Sequence, residues 1–412
     1  MLPDEEELQK FLQENRSTKD IRLQWIDFSG ILRARFVPIA RCLQIAQGKE
    51  EYLIPQVSMI IPVSTAPKCF PTSNEIETWV LRPDWTSLRC CGFRPSHASV
   101  MCFVEHKEAE EKYNKCPRML LTRELDRLER LWGVKMLAGF EIEVMLLDQN
   151  FAPPINQLDR LNSYQTTAGL RGQTLEAVEE ILDCLKESSI TIHHFHTETH
   201  DQIEFSLSPE SPLNAIDSLI LAQETIRTVF IRHYIKATMT PKPLINGPTN
   251  GIHLHLSVDK LAPPHTDNFL AGILTHIKSL CALGMANFDG YVRTTKDSAG
   301  AWIGFGTENR DLPVRKINDQ HCQSVPVYRG GFTGWLEWVH PEHGFDLEGL
   351  SLDERMPTSL QEALESLKAD EMMKTLIPGR LLDAYIAVKE KEVEVFQKMS
   401  DDQRRLRFLE YF

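Results

Sequence analysis

Near the start of the chain the apolar positions change period twice. Residues 4–15 place Leu8, Phe11 and Leu12 on one helical face, which predicts an amphipathic opening helix. Ile21, Leu23 and Trp25 then alternate with Arg22 and Gln24, the period of a strand. Ser29-Gly30 reads as a turn, and 31–39 returns as a second strand. Residues 50–107 are rich in Pro and Cys with short strand-like runs, so 1–107 reads as a small β-rich domain. Pro117, at a first-turn position, opens a helix that ends at Gly133, with Leu121, Leu125, Leu128 and Trp132 expected to face inward. A strand is expected over 134–148. Further helices are expected at 173–187, 212–235, 267–286, 359–374, 379–398 and 402–411, and strand-like pieces near 192–207, 251–258, 301–305 and 312–317. Strands and long helices without regular alternation predict an α+β fold with a largely antiparallel sheet.

Parity within the strands carries the chemistry, because side chains two apart share a face. Phe140, Ile142 and Val144 share one face of their strand, and Glu141 and Glu143 share the other. Ile203, Phe205 and Leu207 face one way, Gln202 and Glu204 the other; Glu198 has the same parity as Glu204 if that strand is unbroken. In 251–258, Ile252, Leu254, Leu256 and Val258 are expected to pack inward while His253, His255 and Ser257 project together. Carboxylates with one imidazole form a hard, oxygen-dominated ligand set, suited to Mg²⁺ or Mn²⁺ more than to zinc. A sheet with one solvated side shows the same alternation, so each strand taken alone is better read as a wet polar face, and only the three together bring the two readings level.

Composition narrows the partners. The 412 residues carry 45 Lys+Arg against 58 Asp+Glu, a formal net charge of −13. Such a chain is poorly matched to a nucleic-acid backbone or an anionic membrane, and neither partner is expected. Nine cysteines, with no C-x-x-C pair, read as mostly buried, reduced thiols. The acidic N-terminus lacks the layout of a signal or transit peptide, and the most apolar stretch, Phe269 to Phe288, is interrupted by His276 and Lys278. A cytoplasmic location is expected.

The segments GFEIEV, Gln202–Glu204, PKPLINGPTNGIHLHLS, ENRDLPVRKI and the C-terminal LDAYIAVKEKEVEVFQKM, in this order, resemble the glutamine synthetase superfamily. IDFSGILRARFVP and VLRPDWTSL resemble its N-terminal domain. The resemblance implies a β-grasp domain over 1–107, then a catalytic domain over 108–412 built on a barrel-like antiparallel sheet with helices. It implies ATP and Mg²⁺ or Mn²⁺ as cofactors, a small-molecule carboxylic acid and an amine as substrates, and a ring-type homo-oligomer with active sites between subunits. By the resemblance Glu143, Glu198 and Glu204 match ligands of one divalent ion, and Glu141 and His253 match ligands of another. His255 and Ser257 match nucleotide contacts. Arg310 and Arg315 match arginines that hold ATP phosphates and the acyl-phosphate, and Arg293 matches the arginine that pairs with the substrate's α-carboxylate.

Departures from the pattern bear on the substrate. Ala299 stands at the position of the family's flap glutamate, and Thr78 at that of an N-terminal aspartate; these two acids bind ammonium and remove its proton. Neither Ala nor Thr is a base at neutral pH, leaving Asp297 and Glu77 as candidate replacements. The family's N-G-S-G becomes Pro248, Thr249, Asn250, Gly251, and the late E-x-R segment becomes Gln323, Ser324, Val325. The Glu198-to-Glu204 spacing is one residue shorter than usual, which offers His200 or Asp201 as a substitute ligand. The reading is a divergent carboxylate–amine ligase that works through an acyl-phosphate on an amine other than ammonia. A catalytically idle scaffold or sensor, or a metal enzyme that does not use ATP, are the alternatives.

Overall fold

The structure, a computed structural model, describes residues 2–63, 78–107, 111–152, 164–199, 201–259, 263–294, 301–307, 312–316 and 355–412. The first sheet is built from β1 (Asp20–Ile26), β2 (Leu32–Pro38), β3 (Tyr52–Pro55), β4 (Thr78–Pro83), β5 (Arg89–Cys90) and β6 (His97–His106). Its order is β2-β1-β6-β4-β3. The β1–β6 pair in the middle is parallel and the remaining pairs are antiparallel. Helix α1 (Pro3–Glu14), α2 (Ile39–Ala46) and the short α3 (Val57–Ile60) accompany it. The β1–β2 turn is set locally: the Asp27 carboxylate accepts the backbone N–H groups of Ser29 and Ile31 at 3.0 and 2.9 Å, and Gly30 takes φ +86°. Leu8, Ile21, Leu23 and Trp25 are buried as their spacing predicts.

The second sheet follows α4 (Pro117–Trp132). Its central strand is β7 (Met136–Leu147), flanked on one side by β9 (Gln202–Leu207) and then β8 (Ile192–Thr197). On the other side β11 (Ile252–Val258) pairs with the first half of β7 and β10 (Lys236–Thr238) with its end, so the sheet is antiparallel throughout. Helices α5 (Gln173–Glu187) and α6 (Pro212–Arg232) seal one face. Ile142, Val144, Leu146, Ile203 and Phe205 pack there against Ala177, Ile181, Ile226 and Phe230. The opposite face carries Glu141 and Glu143 along the middle of β7, and at its end Met145 and Leu147 pack against Leu244 and Leu409.

The C-terminal part contains α7 (Pro263–Thr275), α8 (Ile277–Gly284), the strand pair β12 (Phe305–Thr307) and β13 (Val314–Lys316), and α9 (Leu360–Ala369), α10 (Glu371–Leu376), α11 (Gly379–Phe396) and α12 (Asp401–Tyr411). Helix α11 returns to the first sheet. Glu392 accepts Ser29 Oγ at 2.7 Å and the Val63 N–H at 3.0 Å while Lys389 pairs with it at 2.9 Å, and Leu381 and Val388 join the first core. Ser400 and Gln403 form a capping box at the start of α12. Ser400→Ala is expected to lower stability by about 1 kcal/mol, read from the midpoint of chemical denaturation; an unchanged midpoint would mean that α12 contributes nothing to the cooperative unit.

The α+β class and nearly every element stand where the periodicities predict, with several corrections. The inward stripe of α4 holds only in part: Met119 and Leu120 pack against the first core and Leu121, Leu125 and Leu128 are half-buried, but Trp132 is 70 % exposed. Its apolar stripe is real, but among the described residues no element covers that end of the helix. The helix expected over 267–286 breaks at His276, whose ring contacts Asp370, and that over 359–374 breaks at Asp370, whose carboxylate caps α10. The strand near 301–305 is shifted to 305–307. Among the described residues, cysteines 42, 91, 102, 116, 184 and 281 are buried, Cys90 is half-buried, and all are free. No helix among the described residues is long and apolar enough to cross a membrane.

Candidate active site

Register turns three separate strand patterns into one surface. Glu141 lies opposite Ser206 of β9 and His253 of β11; Glu143 lies opposite Glu204; Gly139 opposite His255; and Leu137 opposite Ser257. On β8, His194 is opposite Ser206 and His196 opposite Glu204. Two rows therefore cross the sheet, His194–Ser206–Glu141–His253 and His196–Glu204–Glu143, on the face away from α5 and α6. Neighbouring strands are about 4.8 Å apart, so adjacent members of a row are in contact range.

The contacts follow. Glu141 Oε2 lies 3.0 Å from His253 Nδ1 and 3.0 Å from His255 Nε2, and His253 Nε2 lies 3.3 Å from Glu143 Oε1. The Gly251 N–H donates to Glu143 Oε2 at 2.7 Å. His196 Nε2 is 3.3 Å from Glu204 Oε1 and its Nδ1 3.7 Å from Glu198 Oε1. One ligand atom each from Glu141, Glu204 and His253 lie within 4.8 Å of one another.

Four carboxylates this close repel each other, and the electrostatics record how the protein offsets it. Burial works against the charged form of Glu141, yet hydrogen bonds from His253 and His255 hold its carboxyl well below the usual range. Burial opposes protonation of His253, but hydrogen bonds to Glu141 and Glu143 lift it to about 9. The hydrogen bond to Glu204 lifts His196 to about 9 against burial. Burial and then the charges of Glu204 and Glu143 push Glu198 up to about 7. Protonated His253 and His196 and a Glu198 carboxyl pushed toward its neutral form thus offset part of the repulsion, and the cluster remains rich in negative charge. Oxygen donors with one imidazole, short of positive charge, fit a hard divalent ion such as Mg²⁺ or Mn²⁺.

Glu198 reaches this surface by a route other than strand parity. β8 ends at Thr197 and β9 starts at Gln202, and Glu198 sits in the hairpin between them, its N–H donating to Gln202 O at 2.9 Å. On β11 the expected polarity is largely inverted: His253 is 9 % exposed and Ser257 is buried, whereas Ile252 is 36 % exposed and Leu254 and Leu256 are half-buried; only Val258 is buried as expected. β11 lies at the sheet edge, so its histidine face covers the acidic surface while its leucine face stands partly open. His194 and His196 were not singled out in the sequence, although their alternation matches that of His253 and His255.

The loop before β11 is held by its own side chains. Asn250 is buried; its amide donates to Thr238 O and Thr240 O and its carbonyl oxygen accepts from Gln202. Gln202 also donates to Thr249 O at 2.8 Å. Only the backbone carbonyl of Asn250 turns to Arg293, whose Nη1 donates to it at 2.8 Å. Arg293 is buried; burial works against its charge and the Glu143 carboxylate supports it. Arg315 is half-buried on β13, opposite Gly306. Thr78 is exposed at the first position of β4. Asp201 is half-buried in the β8–β9 hairpin, where its carbonyl accepts the Leu146 N–H. Arg310, Glu77, Asp297, Ala299, His200, Gln323, Ser324 and Val325 lie outside the described residues. At the start of β7 a groove of about 470 Å³ is lined by Leu125, Leu128, Val134, Leu137, Pro212 and Ser257, among others.

Comparison with known proteins places these residues in a lineage. The chain is 26% identical over 434 residues to the protein fluG of Emericella nidulans, covering 97% of this chain and 49% of that protein, and so spans about half the relative's length. It is 22% identical over 374 residues to a glutamate–isopropylamine ligase of a Pseudomonas species, covering 80% of this chain and 81% of that one. A solved structure described as a GmaS/ADP complex superimposes with a TM-score of 0.75 at 19% identity, covering 97% of this chain and 98% of that one. The family model for the glutamine synthetase catalytic domain matches residues 114–325 and 331–407, well over half of the chain, and the chain therefore belongs to the glutamine synthetase family.

Proposed function

We propose that the protein is an ATP-dependent ligase that joins a carboxylic acid of the glutamate class to an amine other than ammonia, by way of an acyl-phosphate. The observation that carries the proposal is the convergence of Glu141, Glu143, Glu198 and Glu204 with His253 on one face of the antiparallel sheet. Divalent ions held there would neutralise charge on a transferring phosphoryl group, where electrostatics and positioning dominate. Leu137 and Ser257 line the groove four residues along the strands from Glu141 and His253, roughly 14 Å at strand rise. That separation suits a nucleotide whose base enters the groove and whose phosphates reach the acids. Arg293, buried beside Asn250 and Glu143, is assigned to the acid's α-carboxylate, and the Thr249–Gly251 backbone to the walls of that pocket. Arg310 and Arg315 are assigned to the phosphates on the resemblance alone.

The amine is inferred from chemistry that is missing. Ammonia arrives as ammonium, which must be gripped and deprotonated by a carboxylate base, and a threonine hydroxyl at position 78 does neither. A larger amine brings apolar surface of its own, and the relative named for isopropylamine supports that class. Active sites shared between ring subunits are part of the same proposal.

Two measurements on the purified chain test it. In saturating Mn²⁺, ATP at about one hundred times its Kd is expected to raise stability by about 2.7 kcal/mol over Mn²⁺ alone, and the melting temperature by a few degrees. Phosphate release should then require both an acid and an amine, with alkyl amines turned over faster than ammonia. A melting temperature unmoved by nucleotide would favour the idle scaffold, and ammonia as the best substrate would overturn the amine assignment.

A further inference from the structure

Strand β8 carries a feature that the ligase reading does not use. Ile192 pairs with Leu207, but His194 pairs with Ser206, so two residues of β8 oppose one of β9 at this point. Without that bulge the register would continue as 193 with 206 and 194 with 205, turning His194 and His196 toward the Phe205 side of the sheet. With it, Phe195 takes the core position, its ring 6.2 Å from that of Phe205, and both histidines emerge on the acidic face. Bulges re-aim side chains in this way and recur beside functional sites.

The histidines are also arranged as ligands. Their rings are stacked, with centroids 5.7 Å apart and planes 12° from parallel. His194 Nε2 is 3.1 Å from Ser206 Oγ, and His196 Nε2 is 3.3 Å from Glu204 Oε1. His196 Nδ1 lies 3.2 Å from the Thr197 carbonyl, which can only accept; in the neutral ring the proton therefore sits on Nδ1 and the lone pair on Nε2, aimed at Glu204. His193 and His194 meet Nδ1 to Nδ1 at 2.9 Å, a contact that orients the second ring. Backbone or neighbouring groups on the outer nitrogen are how metal-binding imidazoles are held. One donor atom each from His194, His196 and Glu204 lie within 4.8 Å of one another.

From this geometry we propose that His194, His196 and Glu204 form a further metal site, selective for an imidazole-preferring divalent ion such as Zn²⁺ or Co²⁺. Two nitrogens and one oxygen make a softer set than the carboxylate-rich group around Glu141, and ligand type governs which ion a site prefers. A zinc ion needs bonds of about 2.0–2.2 Å to each donor, so a small rotation of the side chains closes the group. His194 is exposed on an edge strand, which leaves the ion a route in from solvent. Glu204 is common to both groups, so occupation of one position alters the charge felt at the other. The inference does not depend on ATP use or on the nature of the amine.

The test is metal stoichiometry in the full chain. Metal-stripped protein is saturated with Mg²⁺ and titrated with Zn²⁺ or Co²⁺, with calorimetry, elemental analysis and the Co²⁺ visible spectrum as readouts. His194→Phe keeps a ring to stack on His196 but has no donor nitrogen, and His194→Ala serves as the second variant. Both are expected to bind one Zn²⁺ fewer per chain or to weaken that site at least tenfold. Both should also lose the Co²⁺ absorption of a nitrogen–oxygen site while Mn²⁺ binding at the Glu141 group is retained. Zinc stoichiometry and affinity identical to the parent in both variants would overturn the proposal. So would zinc lost from Glu141→Gln but kept in the His194 variants, because the ion would then sit only in the carboxylate-rich group.

Discussion

If the protein is the proposed ligase, a Glu141→Gln variant is expected to lose about three orders of magnitude in turnover, about 4 kcal/mol of transition-state stabilisation. The substitution removes little volume. It removes the negative charge that both His253 and His255 contact at 3.0 Å, at the point where a cation would be held. Mn²⁺ affinity should fall in parallel, since a neutral amide oxygen is a weaker ligand than a carboxylate. The side chain touches none of the residues packed under α5 and α6, so the core is kept and the melting temperature should fall only by what the lost contacts with His253 and His255 contributed. Turnover within threefold of the parent, with metal binding intact, would remove Glu141 from the mechanism.

Arg118→Ala should produce the largest loss of stability from a single change, about 3–5 kcal/mol, read as a lower denaturation midpoint at unchanged slope. Arg118, on the first turn of α4, donates from Nη1 to Asp217 Oδ1 at 2.6 Å and from Nη2 to Asp217 Oδ2 at 2.9 Å. The same Nη2 donates to Asp84 Oδ2 at 2.6 Å, and the guanidinium lies 5.3 Å from the Phe103 ring centre. Asp217 is on α6 behind the second sheet, and Asp84 follows β4 of the first sheet, so one guanidinium pins both layers. All three side chains are at most 11 % exposed. Removing the cation strands two carboxylates in a poorly solvated joint, and burial already raises the Asp217 carboxyl despite its partner. Arg118→Met, which restores bulk but not charge, should be nearly as damaging; if it is well tolerated, packing rather than charge holds the joint.

Much of this site was legible before any coordinates, because strand parity is a local property. Two-residue alternation put Glu141 and Glu143 on one face and Ile142 and Val144 on the other, and burial of the latter under α5 and α6 agrees. The same argument handled Glu204 against Ile203 and Phe205. It failed for Glu198, which parity could reach only through an unbroken strand and which a hairpin instead carries to the same place. It failed again for the polarity of β11, since which side of a strand is the inner one depends on what packs against it. The Trp132 face of α4 shows the same limit: periodicity marks an apolar stripe, not its partner.

The order of polar and apolar positions by itself determined the α+β class, the helices and strands, and which side chains of each strand travel together. Only the tertiary structure decided that β8, β9, β7 and β11 lie side by side, that a one-residue bulge turns His194 and His196 onto the acidic face, and that Asn250 is spent holding its own loop. The physical reason is range. A side chain's direction follows from its neighbours along the backbone, whereas register, bulges and burial are settled by hydrogen bonds and packing between segments far apart in the chain.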